Sequence, residues 1–214
     1  MANANGAFGL KPISKLGSSV NNTGNSGYTM YEIKADNSNV IYQGTPVIPL
    51  STGFIDIVGA AAGGTVGLLG AFGGCEFVSS TTGKLTFSNH YPGSGIDSDH
   101  PVKARVFDDP MQLYSIASDA SLTSKATLRS HVFANANFSS GTSGSTVTGK
   151  SSAALGVSTV GTAANLNLRI MGWLDEPENS DFAAAGIPVI VRLNNHFNSP
   201  NGAIAGGTVS TTGV

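Results

Sequence analysis

The apolar residues of this chain come in short runs, each closed within a few positions by glycine, proline, asparagine, aspartate or serine. Such runs are too brief for helices that must bury a stripe, and they fit strands. Tyr28-Thr29-Met30-Tyr31-Glu32-Ile33-Lys34 alternates in this way, followed by Val40–Tyr42, Pro46–Leu50, Phe54–Val58, Thr65–Phe72 and Glu76–Ser79. Further along stand a short piece at Leu85–Phe87, then Val102–Phe107, Met111–Ala117, Leu166–Leu174 and Ile187–Leu193. The spacers follow from composition: Gly, Ser, Thr and Asn supply 89 of the 214 residues, while only 11% are charged. Globular chains usually carry about 25% charge, and a coiled coil or helical bundle would need Glu, Lys, Leu and Ala at helical spacing. An all-β chain remains.

The faces can be read from the alternation. Val102, Ala104 and Val106 share one side of their strand. In Leu166–Leu174, Leu166, Leu168, Ile170 and Gly172 share one face, and Asn167, Arg169, Met171 and Trp173 the other. Ser51-Thr52-Gly53 links two apolar runs as a hairpin loop with glycine where a positive φ is needed. Within Asp119–Phe138, Ser121, Leu122, Lys125, Ala126 and Leu128 can form a short helix, weakened by Thr123 and Thr127. About ten strands and almost no helix predict an antiparallel β-sandwich, jelly-roll-like, or alternatively a small β-barrel. A chain of this length can bury about 70% of its unfolded surface without staples.

The ends read differently from the middle. Residues 1–27 are rich in Asn, Gly and Ser, with an apolar island at Phe8, Leu10 and Ile13, and predict an extended arm whose three apolar side chains dock on a partner. Residues 28–199 form the single β-domain, with long loops at 80–100 and 139–161, and residues 200–214 predict a flexible tail. If the arm is free, removing residues 1–13 leaves the domain folded; if it pairs with the sheet edge of its own domain, it does not.

Chemistry is sparse. Eleven basic against thirteen acidic residues give a net charge of −2 with no basic block, which argues against nucleic acid as a partner. Cys75 is the only cysteine, so neither an internal disulfide nor a zinc cluster can form, and its strand setting predicts an inert thiol. Met1–Leu10 lacks the basic and apolar regions of a targeting peptide. Ile57–Gly74 is uncharged but too rich in glycine and alanine to predict a membrane span. Asp108-Asp109-Pro110 and Asp175-Glu176-Pro177 read as strand-end turns rather than paired catalytic acids. Asp97 and Asp99 lack the glycine and distal glutamate of a calcium loop. His90, His100, His131 and His196 have no metal-ligand spacing, and no nucleophile elbow or P-loop is present. Gly70 to Gly74 marks a bulge instead. The expectation is a protein with no catalytic residues, no metal and no cofactor.

A set of ordered islands adds a resemblance. These are Ala7-Phe8-Gly9-Leu10-Lys11-Pro12; Ile41-Tyr42-Gln43-Gly44-Thr45-Pro46-Val47; and Val66-Gly67-Leu68-Leu69-Gly70-Ala71-Phe72-Gly73-Gly74. They continue with Phe87-Ser88-Asn89-His90-Tyr91-Pro92-Gly93, Val106-Phe107-Asp108-Asp109-Pro110, Glu178-Asn179-Ser180-Asp181 and Val189-Ile190-Val191-Arg192-Leu193-Asn194-Asn195-His196. Together they resemble the capsid cement or decoration proteins of marine tailed phages; Ser139–Gly161 matches least. The resemblance implies an all-β structural virion protein on the outer surface of an icosahedral head, without catalysis. It also implies the major capsid protein as partner and self-association, as a homotrimer. Two other classes stand beside it. A carbohydrate-binding module of a phage tail or fibre would need an aromatic platform, for which Trp173 with Tyr114 or Tyr91 is the raw material. A virion-associated polysaccharide hydrolase would need an acid pair in a cleft.

Overall fold

Strand periodicity governs nearly everything in the computed structural model, which describes residues 3–17, 27–60 and 67–199 and the short pieces 203–204 and 208–209. The strands are β1 (Lys11–Lys15), β2 (Thr29–Ile33), β3 (Pro46–Pro49), β4 (Ile55–Ile57), β5 (Gly70–Val78), β6 (Leu85–Ser88), β7 (Val102–Phe107) and β8 (Gln112–Ala117). A short helix, α1 (Lys125–His131), precedes β9 (Asn135–Ala136), β10 (Phe138–Ser139), β11 (Ala154–Leu155), β12 (Leu168–Trp173) and β13 (Pro188–Leu193). Ser124 caps α1, its side chain accepting from the Thr127 N–H, and Leu128 is the one helical residue that is buried.

Two antiparallel sheets pack together as a sandwich. Sheet one runs β1-β8-β13-β12-β9, and sheet two runs β2-β7-β5-β3-β4 with β6 alongside β5. Between them lies a core in which Tyr114, Ile116, Ile170, Val189 and Val191 of sheet one meet Ile48 and Ala71 of sheet two. Sheet two also buries its other face. Ile33, Val47, Phe72, Cys75, Val102, Ala104 and Val106 enclose a second core with Ile41 and Tyr91. Sheet two curls until β2 and β4 touch. They do not pair, so no closed barrel forms among the described residues.

Several sequence expectations are altered by backbone detail. Thr65 and Val66 lie outside the described residues; what remains of Thr65–Phe72 does not form a strand apart from Glu76–Ser79, since residues 70–78 form one strand with a bulge between Phe72 and Gly74. A second bulge, at Met171, resets β12. Arg169 faces Arg192 and Ile170 faces Val191, but after the bulge Gly172 faces Ile190 and Trp173 faces Val189. The alternation read from sequence therefore holds to Ile170 and inverts beyond it, which turns Trp173 towards the core. Val40–Tyr42 contributes only one isolated bridge, Ile41 to Tyr91, and the next residue, Gln43, bridges Lys150. The hairpin loop at Ser51-Thr52-Gly53 forms with Gly53 at φ 85°.

The N-terminal arm requires a larger correction. Among the described residues it is part of the domain: β1 is the edge strand of sheet one, paired antiparallel with β8. Leu10 is 1% exposed and belongs to the inter-sheet core. Asn3 and Asn5 are hydrogen-bonded to residues 179–185. An unpaired sheet edge was available within the same chain, and burying Leu10 between the sheets adds to the pairing. Residues 139–161, which the sequence offers as a surface loop or a hairpin, are closed as a hairpin by antiparallel pairing of β10 with β11, and Ser151, Ala153, Ala154 and Leu155 are buried. The 80–100 loop is anchored by β6 and by Tyr91. The tail lies mostly outside the described residues; within it, Ala203–Ile204 pairs antiparallel with Thr208–Val209.

Candidate interaction surface

Sheet two has one stretch of outward face that sheet one does not cover. With Val102, Ala104 and Val106 turned inward, β7 presents Lys103 and Arg105 outward. In register beside them are Met30 and Glu32 of β2 and Glu76 of β5, and Phe87 of β6 lies next to Glu76. The bulge in β5 shapes what happens here. Gly73 carries no side chain, and the ring of Phe107 lies across it; a Cβ would stand 2.9 Å from Phe107 Cε2. Tyr28 packs edge-on against Phe107 at 6.5 Å between centroids. The Arg105 guanidinium then sits 5.7 Å from the Tyr28 ring centre and 6.0 Å from that of Phe87. Cation–π contact of this kind is worth about 0.5–1 kcal/mol in water and more once desolvated. The aromatic rings stay open, Phe87 63% and Tyr28 53% exposed, and Leu85 beside them is 58% exposed.

The lower border of this surface is held rigid by Asp108. It accepts hydrogen bonds from Thr29 Oγ1 (2.9 Å) and the Tyr31 hydroxyl (2.7 Å). Burial, and then the Asp108 carboxylate, push the Tyr31 hydroxyl up to about 12. Asp109 accepts from the Met111 N–H at 2.8 Å and pairs with Lys15 at 2.6 Å. Burial opposes its ionisation, but Lys15 and the Met111 N–H outweigh it and hold its carboxyl below the usual range. Asp109 thus serves the strand-end turn, and Asp108 ties that turn to β2.

The three residues expected to dock on a partner meet a different fate. Phe8 and Ile13 are half-buried and Leu10 is buried; all three line one groove of about 680 Å³ with Gln43, Lys150 and Glu176. The path of the chain there depends on two glycines. Gly9 (φ 77°) donates to Ala153 O, Leu10 N–H donates to Gly44 O at 2.8 Å, and Gly44 has φ 85°. A Cβ on Gly9 would meet Gly44 O at 2.7 Å.

The aromatic platform considered for a carbohydrate does not assemble. Tyr91 and Tyr114 are fully buried. The Tyr91 hydroxyl donates to carbonyls of the 34–37 turn, and that of Tyr114 to Phe107 O at 2.7 Å. Trp173 packs on the core edge, its Nε1 donating to Asp175. Asp97 accepts from the Asp99 N–H and lies 3.4 Å from His100. Among the described residues no three of His, Cys, Asp and Glu cluster as metal ligands, and no helix is long and apolar enough to cross a membrane. Cys75 is buried, and burial pushes its thiol up to about 12.

Sequence reasoning missed Tyr28, Phe87 and Arg105 as a group. A signal existed in the glycines at 73–74, which mark the bulge, but nothing in the order of residues brings 28, 87 and 105 together. Comparison of the chain with protein-family models, with curated proteins and with solved structures finds no match in any of the three.

Proposed function

We propose that this protein is a structural virion component that docks on the outer surface of a phage head and stabilises contacts between major capsid proteins. The observation that carries the reading is the exposed Tyr28–Arg105–Phe87 surface. Large, stiff aromatic rings around an arginine are what protein-binding hot spots are made of. Here they stand on a rigid sheet, so little ordering entropy is lost on docking. Burying one such ring contributes about 1.5–3 kcal/mol. The ordered islands of sequence supply the kind of partner. Self-association as a homotrimer belongs to the same proposal, since many weak contacts on a symmetric shell add through avidity.

Co-sedimentation with heads of the phage that encodes the chain tests it. The intact protein should travel with the heads, and Phe87→Ala and Arg105→Gln should each weaken retention about tenfold or more while remaining folded. Retention of both variants at full strength would overturn the proposal, as would specific binding on a glycan array in place of heads.

A further inference from the structure

We propose that Arg169 and Arg192 form a carboxylate clamp on the outward face of sheet one, taking an acidic segment of a partner protein. This face is separate from the Tyr28–Phe87 surface and does not depend on the capsid reading. Arg169 and Arg192 are directly opposite one another on the two neighbouring strands β12 and β13. Their neighbours Leu168, Ile170, Val191 and Leu193 point into the core, so both arginines point out. Residues so placed have Cβ atoms about 5 Å apart, and like charges at that spacing destabilise a sheet.

Among the described residues no carboxylate pairs with either arginine to relieve the repulsion. The five strands of sheet one hold Lys11, Lys15, Arg169 and Arg192 and no carboxylate at all. Sheet two, by contrast, mixes Glu32, Asp56 and Glu76 with Lys103 and Arg105. The ion pairs among the described residues use Lys15, Lys34, His100 and Lys125, and neither arginine takes part. Arg169 Nε donates to the Asn135 side-chain oxygen at 3.1 Å, which fixes one guanidinium. Arg192 reaches only the Met111 sulfur, at 3.8 Å, and its Nε is buried with no hydrogen-bond partner. A carboxylate set between the two forks would accept from their terminal N–H groups and cancel the repulsion, through charge-assisted hydrogen bonds. A polyphosphate fits less well, since it draws on many cations at once and the chain as a whole carries −2.

Titration of the full chain with poly-L-glutamate, followed by the arginine Nε–H NMR signals, tests the clamp. Arg169→Gln and Arg192→Gln should each weaken binding about tenfold or more, with no loss of melting temperature, because each removes one of two repelling charges. Lys84→Gln, on an exposed turn, should leave affinity unchanged. The Arg169→Lys/Arg192→Lys double variant keeps charge and fold but loses the planar forks, and should also bind more weakly. Equal weakening by Lys84→Gln would overturn the proposal as diffuse attraction. A single-stranded oligodeoxynucleotide binding as tightly as poly-L-glutamate would overturn the acidic-protein assignment, and a large drop in melting temperature in both Gln variants would show the pair to be structural.

Discussion

Replacing Leu10 by alanine separates a core strand from a docking arm. Leu10 is 1% exposed, packs between the sheets, and its N–H is fixed to Gly44 O at 2.8 Å. Leucine-to-alanine changes at buried sites cost about 2–5 kcal/mol, the upper part arising where the cavity cannot collapse. Residue 10 enters an edge strand that can shift slightly, so about 3 kcal/mol is expected. For a domain of this size each kcal/mol moves Tm by about 2–4 °C, giving a fall of about 6–12 °C. Phe8→Ala, at a half-buried ring on the groove wall, should cost about 1 kcal/mol. Guanidinium unfolding and calorimetry on both variants measure the difference, and deletion of residues 1–13 should unfold the domain or leave it severely destabilised. A Leu10→Ala loss within about 0.5 kcal/mol, or a truncated domain with unchanged Tm, would refute the assignment of this segment to the core.

Ile170→Ala and Val191→Ala, facing each other across β12 and β13, should each cost about 2–4 kcal/mol in denaturant unfolding; near-neutral values would mean the faces of sheet one are assigned wrongly. Phe133 holds φ 73° while 72% exposed, so Phe133→Gly should raise stability by about 1 kcal/mol, and a loss would show that the ring is held by something else. Burial holds His196 down at about 4, with Arg192 adding to it and Asp108 and Asp109 opposing. The unfolded chain binds this proton near pH 6.5, so the stability it contributes is full above about pH 7. It drains as pH falls from about 6.5 to about 4, by about 3 kcal/mol, and His196→Asn should flatten that part of the pH–stability curve. Cys75 should react with a thiol reagent only at the rate of global unfolding, and rapid labelling of the native protein would contradict its burial.

Local alternation made much of the fold legible. Val102–Phe107 was readable to the residue because each position obeys a period of two, and Ser51-Thr52-Gly53 because its turn needs one particular backbone sign. What escaped was set by distant partners. Leu10 looks isolated in a polar stretch, and only the fold brings β8 and Gly44 beside it. The bulge at Met171 leaves no mark in Leu-Arg-Ile-Met-Gly-Trp, yet it reverses the face of Trp173. The Ser/Gly/Thr run at 139–161 lacks strong apolar periodicity, but small residues such as Ala153 and Ala154 are what fit against a close-packed neighbour. The interaction surface was illegible for the same reason, since Tyr28, Phe87 and Arg105 are joined only by strand order.

The central claim, that this sandwich is a head-surface protein docked through sheet two, is met most directly by a cryo-electron microscopy reconstruction of heads carrying the chain. The account predicts density for the two-sheet sandwich outside the shell, with Tyr28, Arg105 and Phe87 buried against the major capsid protein. Heads bare of such density, or a sandwich whose Tyr28–Phe87 surface points to solvent, would contradict it.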